Sequence, residues 1–196
     1  MIKKFANPRI PETEVDAIFT DRWSPRSFLD EPLTDDQVAT LFEAARWAPS
    51  CYNDQPWHFR YARSSADREL FAEALLAKNQ LWASRAPLLI FVLARRHFGH
   101  SSKPNRHGAF DAGAAWMSLA LQARRLGLYA HAMAGFDIEK AYTLLKVNKE
   151  EFDIMAAVAV GFRGEANLLN EEMAEIEAPN GRKPLADVAG EGAFPE

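Results

Sequence analysis

Polar and apolar positions divide this chain into short, sharply punctuated segments. Residues 1–12, with two prolines, read as an irregular arm, and Val15 to Thr20 as a short helix. Thr34-Asp35-Asp36-Gln37 places a hydroxyl at a helix N-cap and a glutamine three residues on, the spacing of a capping box. Behind it Val38, Leu41, Phe42, Ala45 and Trp47 recur near the helical period, and Pro49 stops the run. PSCYNDQPW then reads as a loop and WHFRYA as a strand.

Further along, residues 66–78 have the spacing of an amphipathic helix, and 87–94 form a β-rich buried run entered through Pro87. AFDAGAAWMSLALQARRL, at 109–126, is apolar nearly all round in its first turns, which requires burial. Gly127 ends it. A strand is predicted at 128–133, a helix at 137–147 with Asp137 as N-cap, and a second buried strand at 152–162. The tail from 165 is acidic and turns basic at Gly181-Arg182-Lys183-Pro184. This mixture predicts an α+β domain over 1–196, with 1–12 as an N-terminal arm and 165–196 as a C-terminal extension. Small residues on the central helix (Gly113, Ala114, Ala115) suit both a core and a subunit interface, so a homodimer is expected.

Composition narrows the function classes. Lys plus Arg number 23 against 27 Asp plus Glu, a net charge of −4, which argues against a general nucleic-acid binder. Cys51 is the only cysteine, so no internal disulfide forms. The longest apolar stretch, 86–94, is too short to span a bilayer, and the start lacks the apolar run of a signal peptide. A cytoplasmic protein with no membrane partner is expected. His97, His100 and His107 share a spacing that could suggest a metal, but the His97–His100 pair lacks a nearby carboxylate or cysteine; the 97–107 stretch reads as a polar loop, suited to a lid over a substrate rather than to a metal.

Two stretches carry candidate chemistry. RWSPRSF, at 22–28, holds two guanidinium groups and a hydroxyl close together; these suit an anion, although alone the stretch reads equally as a turn bearing surface arginines. APSCYNDQPWHF, at 48–59, is by itself a helix-ending loop leading into a strand.

Taken together and in this order, the two stretches resemble the paired signatures of the nitroreductase family of flavin enzymes. Asn79 before the Ala86-Pro87 strand, GLYAHAMAGFD at 127–137 and GRKPL at 181–185 extend the resemblance. It implies a nitroreductase-like fold: a mixed central sheet flanked by helices, a long buried central helix, and an intertwined homodimer binding FMN at sites built from both subunits. Arg22 and Ser24 would meet the phosphate, with Arg182 closing on it. Arg26 and Asn79 would lie at the pyrimidine edge, and Ala134 and Gly135 would offer backbone N–H groups to the ring. Pro49, Ser50 and Cys51 would pack on the ring from the partner subunit; Trp23 and Asn53 belong to the same motifs.

The implied activity is reduction of nitroaromatic, quinone or other small conjugated acceptors with NADH or NADPH, in a ping-pong cycle. No G-x-G-x-x-G occurs, so a separate nicotinamide domain is not expected. The flavin carries the redox chemistry, so no catalytic acid or base is assigned. Alternatives on the same fold are a dehalogenase, a dehydrogenase or a flavin-degrading enzyme; a non-catalytic FMN binder is the alternative from another class. Cys51 stands where serine is frequent in the family and reads as a packing residue, since no basic partner adjoins it.

Overall fold

The computed structural model describes residues 7–193; residues 1–6 of the N-terminal arm and 194–196 of the tail lie outside them. A short helix α1 (Ala17–Asp21) leads into the arginine stretch, and α2 (Asp35–Arg46) follows it. Thr34 caps α2 as its sequence predicts: Gln37 N–H donates to Thr34 Oγ1 at 3.1 Å, and Thr34 N–H donates to Gln37 Oε1 at 2.9 Å. Strand β1 (Trp57–Ala62) then precedes α3 (Ser65–Ala72), α4 (Ala77–Ala83) and β2 (Leu88–Arg95). The central helix α5 (Gly108–Arg125) connects β2 to β3 (Tyr129–Met133), and α6 (Ile138–Leu145), β4 (Phe152–Gly161) and α7 (Glu171–Glu175) complete the order. Gly127 closes α5 at φ 78°, a conformation in which a Cβ would be strained. Asp137 caps α6 by accepting from Lys140 N–H at 3.0 Å.

The strands form one sheet in the order β1-β2-β4-β3, with every neighbouring pair antiparallel. This corrects the expectation of a mixed sheet. The α5 crossover gives β2 and β3 the same direction, but β4 inserts between them and removes the parallel pairing. Both faces are covered. Leu89, Phe91 and Leu93 of β2 point into one apolar cluster, and Leu88, Ile90, Val92 and Ala94 into the other. Burial on both sides explains why β2 is a continuous apolar run rather than an alternating one. Helices α2 and α5 pack on one face, α3 and α6 on the other.

The helix expected over 66–78 is broken. Helix α3 ends at Ala72, Leu75 bridges to Phe136, and Asp137 N–H donates to Ala74 O at 2.7 Å. Hydrogen bonds to the segment after β3 outweigh the helical period here, and α4 restarts at Ala77. Helix α5 is buried along one side, through Asp111, Ala112, Ala115, Leu119, Ala120 and Ala123. Its other side is open: Phe110 is 78% exposed, and a Cβ at Gly113 would meet nothing within 4 Å.

Candidate functional site

The expected site residues fall into three groups. The first lies around a cavity of about 480 Å³ lined by Arg9, Arg22, Trp23, Ser24, Arg26 and His131, with Arg182 and Asn180 arriving from the C-terminal tail. Among the described residues no carboxylate lines it. Burial pulls the Arg22 guanidinium below its usual pKa, and Arg182 adds to the effect. Arg9 is lowered in the same way, by burial first and then by Arg182 and Arg22. Mutual repulsion among guanidinium groups with no lining counter-charge favours an incoming anion.

Arg9 from the N-terminal arm and Asn180 from the C-terminal tail shape this cavity. Arg9 donates through Nη1 to Arg22 O at 2.6 Å and Thr20 O at 3.1 Å, through Nε to Asn180 O at 2.7 Å, and through Nη2 to Asn180 Oδ1 at 3.1 Å. It thereby staples the arm and the tail to the arginine stretch. Arg9 was not among the sequence candidates, because a single arginine in an irregular arm has no pattern; only its partners reveal it. Beneath the stretch, Glu177 is buried and accepts from the N–H groups of Arg26 and Ser27 at 2.9 Å each. That carboxylate is taken up by backbone and fixes the turn that aims Ser24 and Arg26. Trp23 sits mainly in the core, edge-on to Tyr129 with ring centroids 6.0 Å apart.

The second group lies at the end of β3. Gly135 O accepts from Asn79 Nδ2 at 2.9 Å and from Leu76 N–H at 3.0 Å. A Cβ on Gly135 would come 2.5 Å from Asn79 Nδ2, so glycine is what lets the two meet. Ala134, next to it, is exposed. The break between α3 and α4 is therefore what delivers Asn79.

Pro49, Ser50, Cys51 and Asn53 form the third group, in the loop before β1, and they do not join the others. The sheet places β1 at the edge opposite β3, roughly 14 Å away across three strand spacings. Tyr52, Asn53 and Gln55 all take left-handed φ of 53°, 55° and 50°, which is uncommon and costly outside glycine. Anchors hold that shape. Cys51 N–H donates to Asp111 Oδ2 on α5 at 3.1 Å, Gln55 N–H to Ser50 Oγ at 3.1 Å, and Gly99 N–H to the Asp54 carboxylate at 2.8 Å. Tyr52, 83% exposed, touches the rings of Phe98 and His100. Among the described residues no group of three or more His, Cys, Asp or Glu could hold a metal ion, and no helix is long and apolar enough to cross a membrane.

This arrangement has relatives. The nitroreductase family model matches residues 19–81 and 71–162, so the chain belongs to the nitroreductase family. A Streptomyces coelicolor protein provisionally named NADH dehydrogenase/NAD(P)H nitroreductase is 32% identical over 154 residues, covering 66% of this chain and 74% of that one. The crystal structure of an oxidoreductase containing FMN superposes with a TM-score of 0.93 at 43% identity, over 98% of each chain. A provisionally named nitroreductase from Desulfovibrio desulfuricans, in complex with FMN, gives a TM-score of 0.71 at 27% identity, over 93% of this chain and 100% of that one.

Proposed function

We propose that this protein is an FMN-dependent oxidoreductase that takes electrons from NADH or NADPH and passes them to a small conjugated acceptor such as a nitroaromatic or a quinone. The observation that carries this reading is the cavity of converging arginines, with no carboxylate lining it among the described residues. Such a donor set fits a phosphate monoester, which accepts paired, charge-assisted hydrogen bonds from guanidinium groups. FMN, when bound, supplies the two-electron redox chemistry, and the protein supplies binding, orientation and electrostatics.

In this reading Arg22, Ser24 and Arg182 hold the phosphate, with Arg9 fixing the backbone beneath them. Arg26 sets a permanent positive charge toward the pyrimidine edge, favouring the electron-rich form of the ring. Asn79 serves the same edge, and the backbone of Ala134 and Gly135 approaches the ring. Trp23 anchors the stretch in the core. Pro49, Ser50, Cys51 and Asn53 act on the site of a partner subunit, because their own chain holds them away from the arginine cavity. A homodimer would cover the open side of α5, where Phe110 and Gly113 face outward. The whole chain then works as one FMN-binding domain, with Arg9 of the arm and Arg182 of the tail beside the phosphate.

The test is direct. Purified protein, or protein given FMN, should be yellow, should bleach anaerobically with NADH or NADPH, and should recover its colour on addition of a quinone or nitroaromatic. A colourless protein that takes up no FMN overturns the reading; FMN that binds but is reduced by neither nicotinamide marks a flavin binder without this activity. Sedimentation of wild type and Phe110→Glu checks the dimer, which the charge should split.

A further inference from the structure

His131 falls inside the 127–137 passage that extends the family likeness, where no role was assigned to it, and it lies on the wall of the arginine cavity. Its Nδ1 is 2.8 Å from Pro25 O. A carbonyl only accepts, so Nδ1 carries the proton and donates, and in a neutral ring Nε2 is then a bare acceptor. No residue among those described bonds Nε2. Packing fixes the ring: Trp82, only 1% exposed, lies beneath it with centroids 4.6 Å apart, and Phe28 stacks on Trp82 at 6.2 Å. Burial, with a smaller contribution from Arg26, holds the imidazole down to about 4 against the Pro25 bond, so the ring is neutral at ordinary pH.

The surrounding chemistry gives that lone pair a use. The arginines on this cavity only donate, and Asn180 Oδ1 already accepts from Arg9. Ser24, His131 and the second lone pair of Asn180 Oδ1 are thus the side-chain acceptors left there for a ligand, and of these only the His131 ring is largely buried and fixed against the core. A ligand that fits brings an anion to the arginines and an N–H or O–H donor to the imidazole. We infer that His131 is a cofactor-binding residue whose Nε2 accepts a hydrogen bond from an N–H or O–H group of the flavin nucleotide. The inference rests on the FMN reading above. It also explains why a polar ring stands between Tyr129 and Met133 on a strand face that is otherwise apolar.

Histidine-ring ¹⁵N NMR of the full-length protein, with and without FMN, tests this. Without FMN, His131 should show the neutral Nδ1–H tautomer; with FMN, its Nε2 resonance should move to the position of a hydrogen-bonded acceptor. N3-methyl-FMN separates the two donor sources: loss of the Nε2 shift assigns the ring N–H, and its retention assigns a ribityl hydroxyl. His131→Phe, which keeps a ring on Trp82, should weaken FMN roughly threefold to tenfold, the worth of one neutral hydrogen bond. His131→Gln, which keeps a donor and an acceptor, should stay within about twofold of wild type. FMN that binds while Nε2 stays unmoved overturns the inference and leaves the flavin reading standing, making His131 only a strut for Pro25. FMN that does not bind at all overturns both.

Discussion

The arginine cavity and the Pro49–Asn53 loop carry the two halves of one family signature, yet the fold treats them differently. The cavity is assembled from distant parts of the chain: the N-terminal arm, the stretch after α1, β3 and the C-terminal tail. The loop is local, strained through its left-handed residues, and held by short ties to α5 and to the 97–107 segment. One is a place where like charges are brought together, and the other a place where backbone is bent and fastened. Each holds unfavourable energy of a different kind. The cavity's is electrostatic and is relieved by an anion; the loop's is conformational and keeps a surface in a fixed shape.

The largest effect that probes this contrast comes from pH. With His131 at about 4 in the fold against an ordinary 6.5, the unfolded chain binds the extra proton between those values. Its contribution to stability is therefore complete above pH 6.5 and lost as pH falls toward 4, by about 3 kcal/mol at most. Urea unfolding of wild type and His131→Phe at pH 7 and pH 4.5 isolates it; the variant should lose less on acidification.

Arg22→Ala should weaken FMN by about 1.5–3 kcal/mol, the range for hydrogen bonds to a charged group. Without FMN it should leave stability unchanged or raise it, because a cation repelled by Arg182 is gone. Fluorescence titration and thermal unfolding read the two together, and a fall in both would erase the distinction drawn for the cavity. Asp111→Ala should do the reverse. It releases the Cys51 N–H and should cost about 1–2 kcal/mol of stability while leaving affinity for inorganic phosphate unchanged. Gly135→Ala is the smallest: the new Cβ displaces Asn79 from Gly135 O, for about 1 kcal/mol. In an Asn79→Ala background that penalty should vanish, which a double-mutant cycle measures.

Much of this was legible residue by residue. Thr34 and Gln37 mark the start of α2, Asp137 the start of α6 and Gly127 the end of α5, because caps and a left-handed turn are set by a few neighbouring atoms. The strands at 87–94 and 152–162 announced themselves because both faces of the first, and of the second from Ala157 on, are buried. The break at Leu75 did not, since the hydrogen bonds that make it come from Gly135, Phe136 and Asp137. The antiparallel sheet was equally hidden: strand order is decided by which connection crosses which, and no local spacing reports that.

Of the site, Arg22, Trp23, Ser24 and Arg26 were readable as a cluster because they are adjacent in the chain. Arg182 was readable through family likeness. Arg9 was not, for it belongs to no repeated spacing or motif; His131, inside the 127–137 passage, reads first as a satisfied strand histidine, and only the structure puts it on the cavity wall. By itself, then, the sequence determined where helices begin and end, which strands are buried, and that guanidinium groups gather after α1. Tertiary structure alone decided that Arg9 reaches Asn180 across the whole chain, that Asn79 meets Gly135, and that the Pro49–Asn53 loop stands apart from the arginines. The reason is reach. Caps and turns are fixed by atoms a few bonds away, whereas a charge cluster without counter-charge exists only because packing elsewhere holds it together.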